Sequence, residues 1–247
     1  MPATLSGWPR RLLKNLAVAV IGCAGLMAAA AVPAAPVKEV VRDPMAQRVQ
    51  ACAACHGKEG RATNDGYFPR IAGKPAGYLY NQLLNFREGR RTYPLMTYMV
   101  DHLSDAYLME MAQYFANLHP PYPPPQAVDA SAATLERGRV LAVSGDPSRN
   151  VPACIACHGS KLTGVAPAIP GLTGLPRDYL NSQLGSWKSG VRRAAAPDCM
   201  AQIAARLAPA DISAVSAWLA SQPVDSSGAP APSAPGKLPI PCGGVPQ

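Results

Sequence analysis

Cys52-Ala53-Ala54-Cys55-His56 and Cys154-Ile155-Ala156-Cys157-His158 are two copies of one pentapeptide, 102 residues apart in a chain of 247. They use four of its seven cysteines; the others are Cys23, Cys199 and Cys242. A Cys-x-x-Cys pair alone reads as half of a zinc site or as a thioredoxin-type redox centre. Neither needs histidine directly after each pair, and a thioredoxin fold offers no second copy. Covalent attachment of haem needs both features. Two thiols three positions apart on a helical turn add to the two vinyl groups, and the next residue sets an imidazole under the iron. The pentapeptides therefore predict two covalently attached haem c groups, bound through Cys52, Cys55, Cys154 and Cys157, with His56 and His158 as proximal iron ligands.

Outward from the pentapeptides the chain repeats itself. Pro69, Ile71, Gly73, Pro75, Tyr78 and Leu79 match Pro170, Leu172, Gly174, Pro176, Tyr179 and Leu180. Gln82, Leu83, Phe86 and Gly89 match Gln183, Leu184, Trp187 and Gly190, and Met96, Leu103 and Tyr114 match Met200, Leu207 and Trp218. The offset moves only from 101 or 102 to 104, so one module is used twice.

Each module ends in a methionine placed to be a sixth iron ligand. Met200 is the only methionine after residue 112, 42 residues beyond His158 and seven before Leu207. Met96 lies 40 residues beyond His56 and seven before Leu103, so register selects it over Met99. A thioether favours ferrous iron and raises the reduction potential. Met109 and Met111 fall on the following helix as core filler. His102 and His119 have no counterparts, since Arg206 and Pro223 stand at the matching positions, and they read as ordinary histidines.

Helix signals set an all-α fold of short helices and loops, one haem to each module. Pro44 is expected to open a helix running into the first pentapeptide, and Pro75 and Pro176 to open helices that end near Gly89 and Gly190. Ser104 caps a last helix reaching about Leu118; Pro209 starts its equivalent, ending near Ser221. No segment alternates like a strand. The 27 prolines and 21 glycines predict long irregular connections and exclude a solenoid or long coiled coil.

The formal charge of +8 does not point to nucleic acid. Arg10, Arg11 and Lys14 precede an apolar run from Leu16 to Val32 that ends in small residues, the layout of an export signal spanning 1–34. The remaining 213 residues hold 20 basic and 15 acidic side chains, a mild excess. An uncleaved anchor is the alternative reading of the same run. A lipidated Cys23 is disfavoured by the apolar residues that follow it.

Two Cys-x-x-Cys-His modules, each with a Pro-x-[Ile/Leu]-x-Gly segment, a Tyr-Leu and Gln-Leu helix, and Met-x6-Leu before a final helix, resemble the dihaem cytochromes of the c-four type, built from tandem class I cytochrome c modules. The resemblance covers about residues 44 to 222. It implies that the carbonyls of Pro69 and Pro170 hold His56 and His158 in orientation. It also implies a periplasmic carrier that takes electrons from a quinol-oxidising complex or a dehydrogenase and passes them to a terminal oxidase or reductase. The alternatives are a cytochrome subunit docked on a dehydrogenase, or a haem enzyme such as a thiosulfate dehydrogenase, for which Cys199 beside Met200 would be a thiolate ligand. The leading reading needs no catalytic residue.

The chain is thus divided into an export signal (1–34), a first module (37–121), a proline-rich linker (122–133), a second module (134–222) and a proline-rich tail (223–247). Prolines from 120 to 125 favour an extended spacer. With the other cysteines assigned, Cys199 and Cys242 are expected to pair and pin the tail beside Met200. Arg61, Arg70, Arg87, Arg90, Arg91, Arg192 and Arg193 are expected to supply a positive surface or to partner haem propionates.

Overall fold

A proline in extended conformation precedes three of the helices. In the computed structural model Pro44, Pro75 and Pro176 have ψ of 152°, 135° and 145°, and their carbonyls accept the first helical hydrogen bonds. They are therefore caps and not first helical residues, one position outside the expected starts; Pro209 alone of these sits inside its helix. The structure describes residues 44–63, 67–224, 228–234 and 236–246, all within one compact unit, Asp43–Gln247. The export signal, the anchor alternative and Cys23 lie outside the described residues.

The first module runs α1 (Met45–Arg48), α2 (Gln50–His56), α3 (Ala76–Arg87), α4 (Pro94–Val100) and α5 (Asp105–Ala116). The expected single helix into the first pentapeptide is thus broken at Val49, where φ is −95° and ψ 10°. Ser104 caps α5 by accepting from the Tyr107 backbone N–H, and α3 ends two residues before Gly89, whose φ of +70° suits a residue without Cβ. Leu79 and Phe86 of α3 meet Leu108, Met111 and Phe115 of α5 in one buried core.

The second module runs α6 (Ala132–Val143), α7 (Ile155–His158), β1 (Gly164–Val165), β2 (Ile169–Pro170), α8 (Arg177–Lys188), α9 (Cys199–Arg206) and α10 (Pro209–Ala220). Its separate core joins Leu141 of α6 and Leu180 of α8 to Ile212, Val215 and Leu219 of α10. At the crossing of α6 and α10 a Cβ on Gly138 would lie 2.2 Å from the Ala214 carbonyl oxygen, so only glycine allows this approach.

Two further elements depart from expectation. Helix α6 begins inside the stretch read as linker, because Ser131 accepts from the Thr134 N–H and alanines follow it. The all-helical reading also gains a two-stranded antiparallel pair, Gly164 opposite Pro170 and Val165 opposite Ile169. Two residues per strand are too few to alternate visibly in sequence.

Linker and tail are irregular but fastened. Arg70 donates to the carbonyls of Pro120, Pro121 (3.2 Å) and Ala72 (3.2 Å) while its guanidinium lies 3.8 Å from the centre of the Tyr122 ring. Gly174 and Gly228 abut the same ring. In the tail, Ala231 pairs with Val165, Gly243 N–H donates to Pro197 O, and Asn81 of α3 donates to Gly244 O at 2.7 Å. Cys199 and Cys242 are joined as a disulfide across a separation of 43 residues, with Cα atoms 5.0 Å apart.

Candidate haem-binding sites

Helices α2 and α7 carry the pentapeptides, and both end on their histidine with a glycine of positive φ next, Gly57 at +76° and Gly159 at +82°. That turn lets the chain double back to a proline. His56 Nδ1 lies 2.8 Å from Pro69 O, and His158 Nδ1 lies 2.7 Å from Pro170 O. A carbonyl oxygen only accepts, so Nδ1 carries the proton and Nε2 keeps its lone pair. Burial is the largest influence on both rings and pushes their pKa values down, against the proline carbonyls, which raise them; Arg91 adds to the lowering at His56 and Lys74 at His158. Both are neutral imidazoles with a free Nε2, the form that binds a metal.

The four pentapeptide cysteines are free thiols, half-buried. Burial pushes the Cys154 thiol up to about 12 and raises Cys52 as well. Among the described residues no group of three or more His, Cys, Asp or Glu converges as a metal site.

Met96 lies on the inner side of α4, packed against the first core, whereas Met99 is 40% exposed. Met200 is half-buried near the start of α9. Cys199 is not a free thiol, because the bond to Cys242 occupies its sulfur, so the thiolate-ligand alternative has no ligand here. The His102 side chain is 94% exposed beside Asp101, and His119 is exposed.

The expected arginine surface is corrected at the contact between the modules. Arg70, Arg192 and Lys74 are at most 4% exposed. Arg91 and Arg192 pair through their backbones in an antiparallel bridge and share neutral partners in a near-symmetric set. Arg91 donates to Gln82 (3.1 Å), Gln183 (2.7 Å) and the Tyr179 hydroxyl (3.2 Å); Arg192 donates to Gln183 (2.7 Å), Gln82 (2.9 Å) and the Tyr78 hydroxyl (3.4 Å). Burial and then Arg91 lower the pKa of Arg192. Arg192 also lies 3.7 Å from the centre of the Trp187 ring, and Trp187 Nε1–H is buried with no acceptor among the described residues. Two guanidiniums without carboxylates and a stranded indole N–H form a donor set suited to anionic groups such as the carboxylates that haem carries. With the thiols and free imidazoles, the residues fit two haems. Arg91 and Arg192 share the 101-residue offset of their helices, so the repeat offered this pair, but the sequence left surface charge and propionate partner as equal readings of it.

The cytochrome c family profile matches residues 148–223. The thiosulfate dehydrogenase electron acceptor of Thiomonas intermedia is 37% identical over 210 residues, covering 85% of this chain and 91% of the relative. Cytochrome c4 of Pseudomonas aeruginosa is 32% identical over 173 residues, covering 68% and 82%. Among solved structures, reduced cytochrome c4 from Pseudomonas stutzeri superposes with a TM-score of 0.62 at 29% identity, over 71% of this chain and 95% of that one. The thiosulfate dehydrogenase TsdBA from Marichromatium purpuratum superposes with a TM-score of 0.63 at 34% identity over 70% of this chain, which spans 36% of that longer chain. The duplicated haem-attachment sequence, its helical setting and these likenesses agree: the chain belongs to the dihaem c4-type cytochromes, electron-transfer proteins with covalently bound haem c.

Proposed function

We propose that this chain is a periplasmic electron carrier that accepts electrons from a thiosulfate dehydrogenase, one at each of two His/Met-ligated haems, and is not itself an enzyme. The observation that carries the ligand assignment is the duplicated clamp, His56 on Pro69 and His158 on Pro170, which leaves each Nε2 unprotonated. Cys52 and Cys55 attach the first haem, and Cys154 and Cys157 the second. Met96 and Met200 close the sixth positions; Met96 is preferred to Met99 because it faces the core. The donor is named from the electron acceptors of thiosulfate dehydrogenase among the relatives and from the solved TsdBA chain.

Bound haem supplies one-electron exchange between ferric and ferrous iron. The chain does the rest. Pro69 and Pro170 fix the imidazole planes, so ligand geometry need not reorganise when charge changes. Leu108 and Phe115 in one module, and Leu180 and Leu219 in the other, keep water from the cores. Arg91 and Arg192 place fixed positive charge where the modules meet, neutralising acidic groups brought there and joining the two centres through one hydrogen-bonded set.

Mixing the purified holoprotein with thiosulfate, with and without a partner thiosulfate dehydrogenase, tests this reading. Both haems are expected to be reduced only when the enzyme is present, and carbon monoxide is expected to leave the reduced spectrum unchanged. Reduction by thiosulfate alone, or carbon monoxide binding at either iron of the native protein, would overturn it.

A further inference from the structure

Lys74 follows Gly73 in the first haem loop, yet its side chain serves the other module. It is 4% exposed, and Nζ donates to Gly171 O at 3.0 Å, across the contact between modules. Among the described residues it has no carboxylate within ion-pair distance. Gly171 directly follows Pro170, whose carbonyl holds His158 Nδ1–H. The ammonium therefore sits one peptide from the backbone that orients the second imidazole, close enough for its charge to lower the pKa of that ring. The neighbouring cation, Arg70, is committed to the carbonyls of Ala72, Pro120 and Pro121.

A buried ammonium without a counter-charge is unfavourable, and burial followed by Arg70 lowers the Lys74 pKa to about 7. At the matching position of the repeat stands Leu175, packed in the second core. A charge retained where the twin module uses leucine has a role other than packing.

We propose that Lys74 is a positioning residue that tunes the second haem: its ammonium, anchored on Gly171, favours reduced iron at His158 and raises the second module's potential above that of the same module without it. The proposal rests on His158 being the iron ligand. At pH 6, where the ammonium holds its proton in both states, reduction adds one electron and no proton, so the net charge of the site falls by one, and the cation nearby stabilises the more negative state. The arginine pair is shared almost symmetrically by both modules, whereas Lys74 acts on one.

Potentiometric titration of the holoprotein at pH 6, where the ammonium is charged, tests the role. The two waves are assigned with Met96→His and Met200→His, each expected to lower the wave of its own haem. Lys74→Met and Lys74→Gln are expected to move only the second module's wave downward, shifting the distribution of one electron between the haems by about tenfold. Lys74→Arg is expected to restore it. A second wave that stays in place in both neutral variants, or two waves that move together, overturns the proposal. Two haems per chain and a low-spin spectrum in each variant separate loss of tuning from loss of folding. If Met200→His and His158→Ala both leave the second wave unchanged, the ligand reading fails and this proposal falls with it.

Discussion

On α4 of the first module, Leu95, Tyr98 and Met99 form a stripe at i, i+3 and i+4 that is 60%, 78% and 40% exposed. The 104-residue register puts Cys199, Gln202 and Ile203 at the same three places on α9. There Cys199 is bonded to Cys242 of the tail and Ile203 packs against the core. Met96 packs against its core and Met200 is half-buried; the stripe is open on α4, while its counterpart on α9 is tied to the chain terminus through Cys199. Duplication preserved what the haem needs and left the outer face free to diverge. The tail is bonded to α9 of the second module and meets the first through Asn81 and Gly244, leaving the apolar outer face of α4 uncovered among the described residues.

Three measurements would break or sharpen this contrast. The largest effect is expected for Cys242→Ser, because opening a loop of this length removes up to about 4 kcal/mol of stability in the chain-entropy model. Calorimetry of the holoprotein should show the second module's transition move down while the first stays; a change in both would mean that the tail holds the modules together rather than closing one.

Asp211→Asn comes next. Asp211 opposes its own burial, which raises its pKa, with hydrogen bonds from Arg149 and Arg137 that bring it below the usual carboxylate value; the same arginines hold Asp146 well below it. A carboxylate lowered in the folded state contributes stability that is complete above its unfolded pKa of about 4 and is lost as pH falls through the folded value. The variant is expected to lose about 2 kcal/mol at pH 7 and to show a flatter decline below pH 4 than the native chain. An unchanged acid profile would remove this network from the list of differences between modules.

The smallest effect is expected for Tyr98→Ser, within about 0.5 kcal/mol by thermal unfolding, because the side chain has little to lose. A larger loss would show that the stripe on α4 supports its module and is not a free face.

Much of this was legible in the sequence because the deciding signals are local. A pentapeptide carries its own chemistry, Ser104 caps the helix that starts beside it, and the repeat doubles every clue. The carbonyls of Pro69 and Pro170 stand against the histidines where the family resemblance put them, and Cys199 and Cys242 were left for each other once the pentapeptides had taken four cysteines and Cys23 was assigned to the export signal. What the sequence hid depends on distant partners. Lys74 is buried because Gly171, 97 residues on, accepts from it, and Arg70 because the linker prolines, 50 residues on, wrap its guanidinium. Helix α6 was lost in an alanine-rich stretch next to a proline run, and the β1–β2 pair is made by backbone alone.

The bond between Cys199 and Cys242 sets a problem of maturation. Four cysteines must reach haem as thiols and two must reach each other oxidised, on one chain in one compartment. Any two of the six that pair early are withdrawn from their own chemistry, and six cysteines allow fifteen complete pairings. Cys242 leaves the ribosome last, after both pentapeptides. The position of the closing cysteine therefore favours an order of events: haem is joined to the pentapeptides while their thiols are reduced, and the tail is locked over the second module after the rest is in place.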